Sequence, residues 1–521
     1  MRATLLLLAA LSAVAAAQTF PIAGVIVDAS SGARMKRVRV TVNPYGRNDE
    51  AKAVITGEDG KFSFQAPKGK FVLMAEYRGA REPFGQRGPG LGFNVAIFTG
   101  ADQDTSNLIF KWYAPGAISG RVVDEHNEPV EGALVQLIRA GVTAGRKMRA
   151  TTAWARTDDR GQYRFGQRAG GTYFLAVTGE PWYSKTRVHI GRDREADVEP
   201  VRSFAPIYYP DAVEPGAAQA IELAPGAEMN ADFRLTTIAG VNLHVHCEHP
   251  QGQQILASLV TDGIEGVTSI QRQEWMFRPD QTIVGVLPGR YELRVEGRNG
   301  STAMARRMIE VGSADLSVEV TLTTRPSVSG TVKFPGKRPS RTVYIRLVDE
   351  SNNATVSRVL ETNDTFHFDA MPPGRHRILL TSADGFFAAA VDVKGAPAKG
   401  VLIDLQPGAQ VKADILASDE TGTVKGFVMD GDKPAAGVLA VLAPAKDTGD
   451  PGDFRSFQTD SNGSFDYQLV RAGDYILLAV DRLDLEYRNP AVIRDHLASG
   501  TPVRVAPHAS VVQNVSLAGQ K

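Results

Sequence analysis

Cysteine is almost missing: the 521-residue chain has one, Cys247. No internal disulfide framework can form, so each folded part must be held by an apolar core. Net charge is missing too. Lys plus Arg number 58 and Asp plus Glu number 58, a balance that gives no general attraction to nucleic acid or to an anionic membrane. Beyond the first residues, no stretch approaches the roughly 18 apolar residues of a transmembrane helix. Amphipathic helices are scarce, the best short candidate being Pro490 to Leu497. Catalytic signatures are absent as well. No His has a Glu three residues on, and there is no His-Glu-x-x-His, Gly-x-Ser-x-Gly or Walker-type glycine loop. The chain is therefore expected not to be an enzyme and to need no cofactor.

What is present begins with a leader. Arg2, the apolar run Leu5 to Ala16 and the small residues Ala15-Ala16-Ala17 have the form of a signal peptide over residues 1–17, leaving Gln18 as the mature N-terminus. Export to the periplasm, outer surface or medium is the expectation. Glycine is plentiful, at 51 residues with 29 prolines, which suits a turn-rich β protein.

Three signals recur in order. The first is an apolar residue, a gap, a glycine and a β-rich run. It reads Ile22-Ala23-Gly24-Val25, Ile118-Ser119-Gly120-Arg121, Ile238-Ala239-Gly240-Val241, Val328-Ser329-Gly330-Thr331 and Val424-Lys425-Gly426-Phe427. The second is a tight turn feeding two aromatics spaced two apart: Asp59-Gly60 into Phe62 and Phe64, Arg160-Gly161 into Tyr163 and Phe165, Asn462-Gly463 into Phe465 and Tyr467. Phe366 and Phe368 keep the pair in the fourth copy, while Ile283 and Gly285 replace it in the third. The third signal is a glycine turn before another alternating strand, at Gly69, Gly171, Gly289, Gly374 and Gly473. Alternation with period two marks strands with one buried face, and short strands between regular turns mark sandwiches. The fold class is all-β: tandem antiparallel β-sandwich modules of transthyretin-like or Ig-like type at 18–114, 115–236, 237–325, 326–421 and 422–521. Spacers as short as Thr324-Arg325-Pro326-Ser327 predict an elongated array with few contacts between non-adjacent modules.

Gly-x-Val-x-Asp at Gly120 to Asp124, with Pro129-Val130 and Gly132-Ala133 to Val135, then the Asp/Asn-Gly-x-aromatic turn, resembles the carboxypeptidase regulatory-like domain. The resemblance is strongest in module 2, good in modules 1 and 5 and weaker in modules 3 and 4. It implies a transthyretin-like sandwich, related to carbohydrate-binding-like and Cna-B-like folds, and an extracellular habit. Fold does not give function, and the zinc peptidase domain behind the family's name has no counterpart in this chain.

Three features invite a functional reading. Modules 1, 2 and 5 carry long insertions before their closing strands. The longest, in module 2, holds Trp182, Tyr183, Tyr208 and Tyr209, with Arg187, Arg192, Arg194 and Arg202. Flat aromatic faces with polar edges suit sugars or protein surfaces; the other reading is that these rings pack on a neighbouring module. His244, His246, Cys247 and His249 have ligand chemistry suited to zinc or copper. The alternative is a strand with Leu243, Val245 and Cys247 buried, which requires a bulge because a register from Gly240 turns the histidines inward. Lys333 and Lys425 raise the possibility of Cna-B-type isopeptide bonds, but strand parity places both outside. These features predict a non-catalytic binding or scaffold protein for carbohydrate or cell-envelope polymer, or for a cell-surface protein. A structural rod or adhesin stalk, and an accessory subunit of a separately encoded enzyme, are the alternatives.

Overall fold

A computed structural model of the chain describes residues 18–47, 50–91, 95–182, 202–249, 253–264, 267–351, 354–446 and 451–518; the expected signal peptide lies outside them. Among the described residues no helix is long and apolar enough to cross a membrane. Five main apolar cores form, each drawn from one contiguous stretch of chain: Ile22 to Trp112, Ile118 to Leu235, Leu243 to Val320, Val328 to Ala417 and Val424 to Val515.

Each core lies between two sheets. In the second module, strand Gly116–Val123 pairs antiparallel with Gln162–Arg168 and parallel with Glu228–Asn230 and Phe233–Arg234. The facing sheet has Leu134–Thr143 between Arg146–Arg156 and Gly171–Thr178. All five modules repeat the plan of an opening strand with an antiparallel neighbour on one side and a parallel closing strand on the other. The sandwiches are thus not purely antiparallel. The closing strand arrives from the opposite sheet, and that crossover sets its direction.

This plan explains the opening glycine. A Cβ on Gly24, Gly120, Gly330 or Gly426 would collide with the carbonyl oxygen of Leu108, Ala231, Ala413 or Gln513 on the closing strand. Each of these glycines lies directly opposite the first aromatic of the second signal: Phe62, Tyr163, Phe366 and Phe465 respectively. The ring covers the space that a side chain would fill. In the third module Gly240 instead packs against the backbone of Gly285, which is why that copy lacks the aromatic pair. A third recurring contact follows the glycine turn. The hydroxyls of Tyr173, Tyr291 and Tyr475 each donate to the carbonyl four residues back, at 2.6, 2.9 and 2.9 Å.

The expectation of few contacts between non-adjacent modules is not met. Module 5 folds back on module 1: Lys70 Nζ lies 2.8 Å from Asp460 Oδ2, and the Ser461 amide donates to the Ala96 carbonyl at 2.9 Å. Gln458 Nε2 donates to the Gly85 carbonyl at 2.8 Å, and Arg87 pairs with Asp481. Module 5 also meets module 2, where the Arg488 amide donates to the Gly145 carbonyl at 2.9 Å. Arg146 of module 2 lies 3.8 Å from Glu350 of module 4. Short spacers restrict how far neighbours separate, but they do not fix the angle between them, and here the inserted segments supply contacts that bring the ends together.

Candidate functional site

The aromatic insertion of module 2 divides between surface and interior. Trp182 is 74% exposed, whereas Tyr208 is 3% exposed. Tyr183, with Arg187, Arg192 and Arg194, lies outside the described residues. Tyr208 stands in the short strand Ile207–Tyr208, added to the edge of the Gly171–Thr178 strand. It packs in an apolar cluster with Ile138, Phe174 and Ala176 of its own module and Ile264 of the next. Burial pushes its hydroxyl above the ordinary pKa of 10.0, with Glu214 adding to the effect. Tyr209 packs on the main core, its ring edge-on to Phe233 at 6.2 Å. Arg202 directs its guanidinium to Thr237. The three candidate ligand-binding residues among those described, Trp182, Tyr208 and Tyr209, therefore do not converge on one surface. Tyr208 belongs to the joint between modules 2 and 3, alongside the Arg272–Glu180 pair and the Ser203 hydroxyl, which donates to the Gly285 carbonyl at 2.8 Å.

The other insertions go to joints as well. In module 1, Phe84 packs edge-on to Phe110, and the following Gly85 and Arg87 contact module 5. In module 5 the helix Pro490–Leu497, started by Asn489 accepting from the Ala491 amide, covers a second apolar layer containing Leu439, Val441, Leu478 and Tyr487. The Tyr487 ring lies against Gly145, at the tip of a hairpin in module 2.

The joint between modules 1 and 5 depends on one carboxylate. In module 2, Asp158 Oδ1 accepts the amides of Arg160 and Gln162 and so closes its own turn. The corresponding Asp460 in module 5 points outward to Lys70 Nζ and the Ala96 amide. Burial raises its carboxyl above the ordinary 3.8, and Lys70 opposes that rise. Local turn closure falls instead to Asn462, whose Oδ1 accepts the Ser464 amide.

The histidine cluster lies along the outer face of a strand, Val241–His246, that is the middle one of its sheet. A register shift between Val241 and Leu243 is the bulge that the sequence requires for this reading. Beyond it Leu243, Val245 and Cys247 are buried. His244 Nδ1 lies 2.9 Å from Thr282 Oγ1, and His246 Nδ1 lies 2.7 Å from Asp280 Oδ1. Burial pushes the Cys247 thiol up to about 11, with Glu248 adding to it. Among the described residues no three His, Cys, Asp or Glu side chains gather as a metal site. Lys333 and Lys425 are both exposed, on the side of their strands away from the core.

One concave surface was not signalled by any sequence motif. On module 4, strands Val343–Asp349 and Gly374–Ser382 bury Ile345 and Leu380. Their opposite faces present Tyr344, Arg346 and Thr381 to a groove of about 550 Å³, with Arg341 at its end. The signal lay in the parity of Tyr344 and Arg346, but single polar residues on an outer face are commonplace.

Geometry defines a chain of two-sheet sandwiches joined through their inserted segments. Residues 117–203 match the family model of the carboxypeptidase regulatory-like domain. That match lies in module 2, whose glycine and aromatic register modules 1, 4 and 5 share. No curated protein matches the chain. Among solved structures, the Bacillus anthracis TIE protein is 10% identical, with 77% of this chain and 75% of that one covered and a TM-score of 0.17. A minor pilin of Streptococcus agalactiae is 12% identical, covering 42% and 96%, with a TM-score of 0.22. The major pilin subunit of Bacillus cereus is 12% identical, covering 58% and 99%, with a TM-score of 0.16. Superpositions this loose carry no argument about what this chain does.

Proposed function

We propose that this chain is an exported, non-catalytic scaffold that holds five sandwich modules, bounded near residues 114, 236, 325 and 421, in a closed and fixed arrangement. The observation that carries this reading is the seating of module 5 on module 1 through Lys70 and Asp460, with 23% and 4% of their side chains exposed. A stalk that only spans distance has no use for contacts between its first and last modules. The aromatic insertions act as joint material, and the outer sheet faces remain as the surfaces displayed to partners.

Scanning calorimetry tests this. Modules coupled through the joints should melt in fewer transitions than five independent sandwiches, and Asp460→Ala should release a separate transition for module 5. Independent melting of every module in the unaltered protein would contradict the scaffold reading.

A further inference from the structure

The groove on module 4 combines three chemistries on one face. Tyr344 and Thr381 are direct cross-strand partners, and Arg346 lies two residues along the same strand from Tyr344. Parity sends all three away from the core. The Tyr344 ring is 39% exposed, and Val359, its partner on the other side, is 56% exposed. Val359 flanks the groove, and the Tyr344 ring is the large apolar surface within its lining. Arg346 sits with its guanidinium carbon 5.9 Å from the Tyr344 ring centre.

The polar groups of this groove are incompletely satisfied. Arg346 Nε and Thr381 Oγ1 are both shielded from solvent without a hydrogen-bond partner. Leaving such groups unpaired is costly, more so for a charged one. Among the described residues Arg346 has no carboxylate partner, and Arg341 reaches Asp384 only at 3.8 Å. Two guanidinium groups against one carboxylate leave the groove with an excess positive charge. A guanidinium fork fits a carboxylate with two parallel hydrogen bonds, while a tyrosine face fits the flat apolar side of a sugar ring. The groove's volume of about 550 Å³ falls in the range of small-molecule sites, roughly 300–1,000 Å³.

We propose that this face of module 4 binds an acidic saccharide, a uronate whose carboxylate engages Arg346 and Arg341 while its ring lies on Tyr344. The site lies within one module, so it stands independently of the closed arrangement proposed above. It also moves the saccharide surface away from the module 2 insertion and its Trp182.

Isothermal titration of the whole mature chain with a galacturonate trisaccharide tests the proposal. The expected result is binding at least tenfold tighter than that of a neutral trisaccharide, and tighter than that of inorganic phosphate. Arg346→Gln and Tyr344→Ala should each weaken binding tenfold or more at an unchanged melting temperature, since neither side chain enters the core. Arg346→Lys should retain part of the affinity, and Trp182→Ala should leave it unchanged. Equal binding of the neutral sugar or of phosphate would overturn the proposal, as would no binding at millimolar ligand. An Arg346→Gln variant that binds like the unaltered chain would also overturn it, as would loss of binding on Trp182→Ala.

Discussion

Lys70 Nζ and Asp460 Oδ2 stand 2.8 Å apart across 390 residues of chain, in an ion pair whose acidic member is 4% exposed. Removing one partner from a buried pair leaves the other uncompensated, which typically costs 3–5 kcal/mol; partial exposure of Lys70 lowers the expectation to roughly 2–3 kcal/mol. Asp460→Ala should weaken the joint by that amount while module 5 stays folded, because Asn462 closes the turn. A double-mutant cycle with Lys70→Ala should show that the two losses are not additive.

The two aromatics of the module 2 insertion should respond in opposite ways. Tyr208→Ala removes a buried ring shared by two modules and should cost about 3 kcal/mol or more. Trp182→Ala, at 74% exposure, should change stability by no more than about 0.5 kcal/mol. Chemical denaturation of the two variants reads both values. Similar losses would mean that Trp182 is part of the joint.

Gly145 has a φ of +74°, and a Cβ there would overlap the Tyr487 ring. Gly145→Ala should therefore strain the hairpin and displace Tyr487, a combined cost of about 2–3 kcal/mol. Limited proteolysis should show the segment around Tyr487 cut faster than in the unaltered chain.

His246 titrates beside Asp280, whose hydrogen bond raises the imidazole pKa above the ordinary 6.5, with the carboxylate charges of Asp280, Glu248 and Glu319 adding to it. A raised pKa means that the folded state holds the proton more tightly. The pairing thus stabilises module 3 fully below the unfolded value, and that contribution disappears as pH rises through the folded one. An NMR titration should place His246 above 6.5, and Asp280→Asn should lower it.

The repeat was legible because its cause is geometric. Gly24, Gly120, Gly330 and Gly426 must be glycine where the closing strand crosses, so the constraint is written into the sequence four times. The bulge at Val241 was legible for the same kind of reason: three polar side chains cannot all turn into a core. The helix Pro490–Leu497 forms over the residues that its pattern marks. The joints were not legible. Asp460 sits in the same turn motif as Asp158, and nothing local distinguishes the one that closes its turn from the one that reaches another module. The aromatic insertions left two readings open because Tyr208 and Trp182 look alike until the position of Ile264 is known. Linker length gave no sign of the contacts between distant modules, which depend on surfaces that only the folded modules create.

Small-angle scattering of the chain tests the closed arrangement most directly. A compact chain of about 500 residues has a radius of gyration of about 23 Å, and five sandwiches set end to end reach roughly twice that. The account expects a value clearly below the extended figure in the unaltered protein and an increase when Asp460→Ala and Gly145→Ala are combined. A value near the extended figure in the unaltered protein would contradict it.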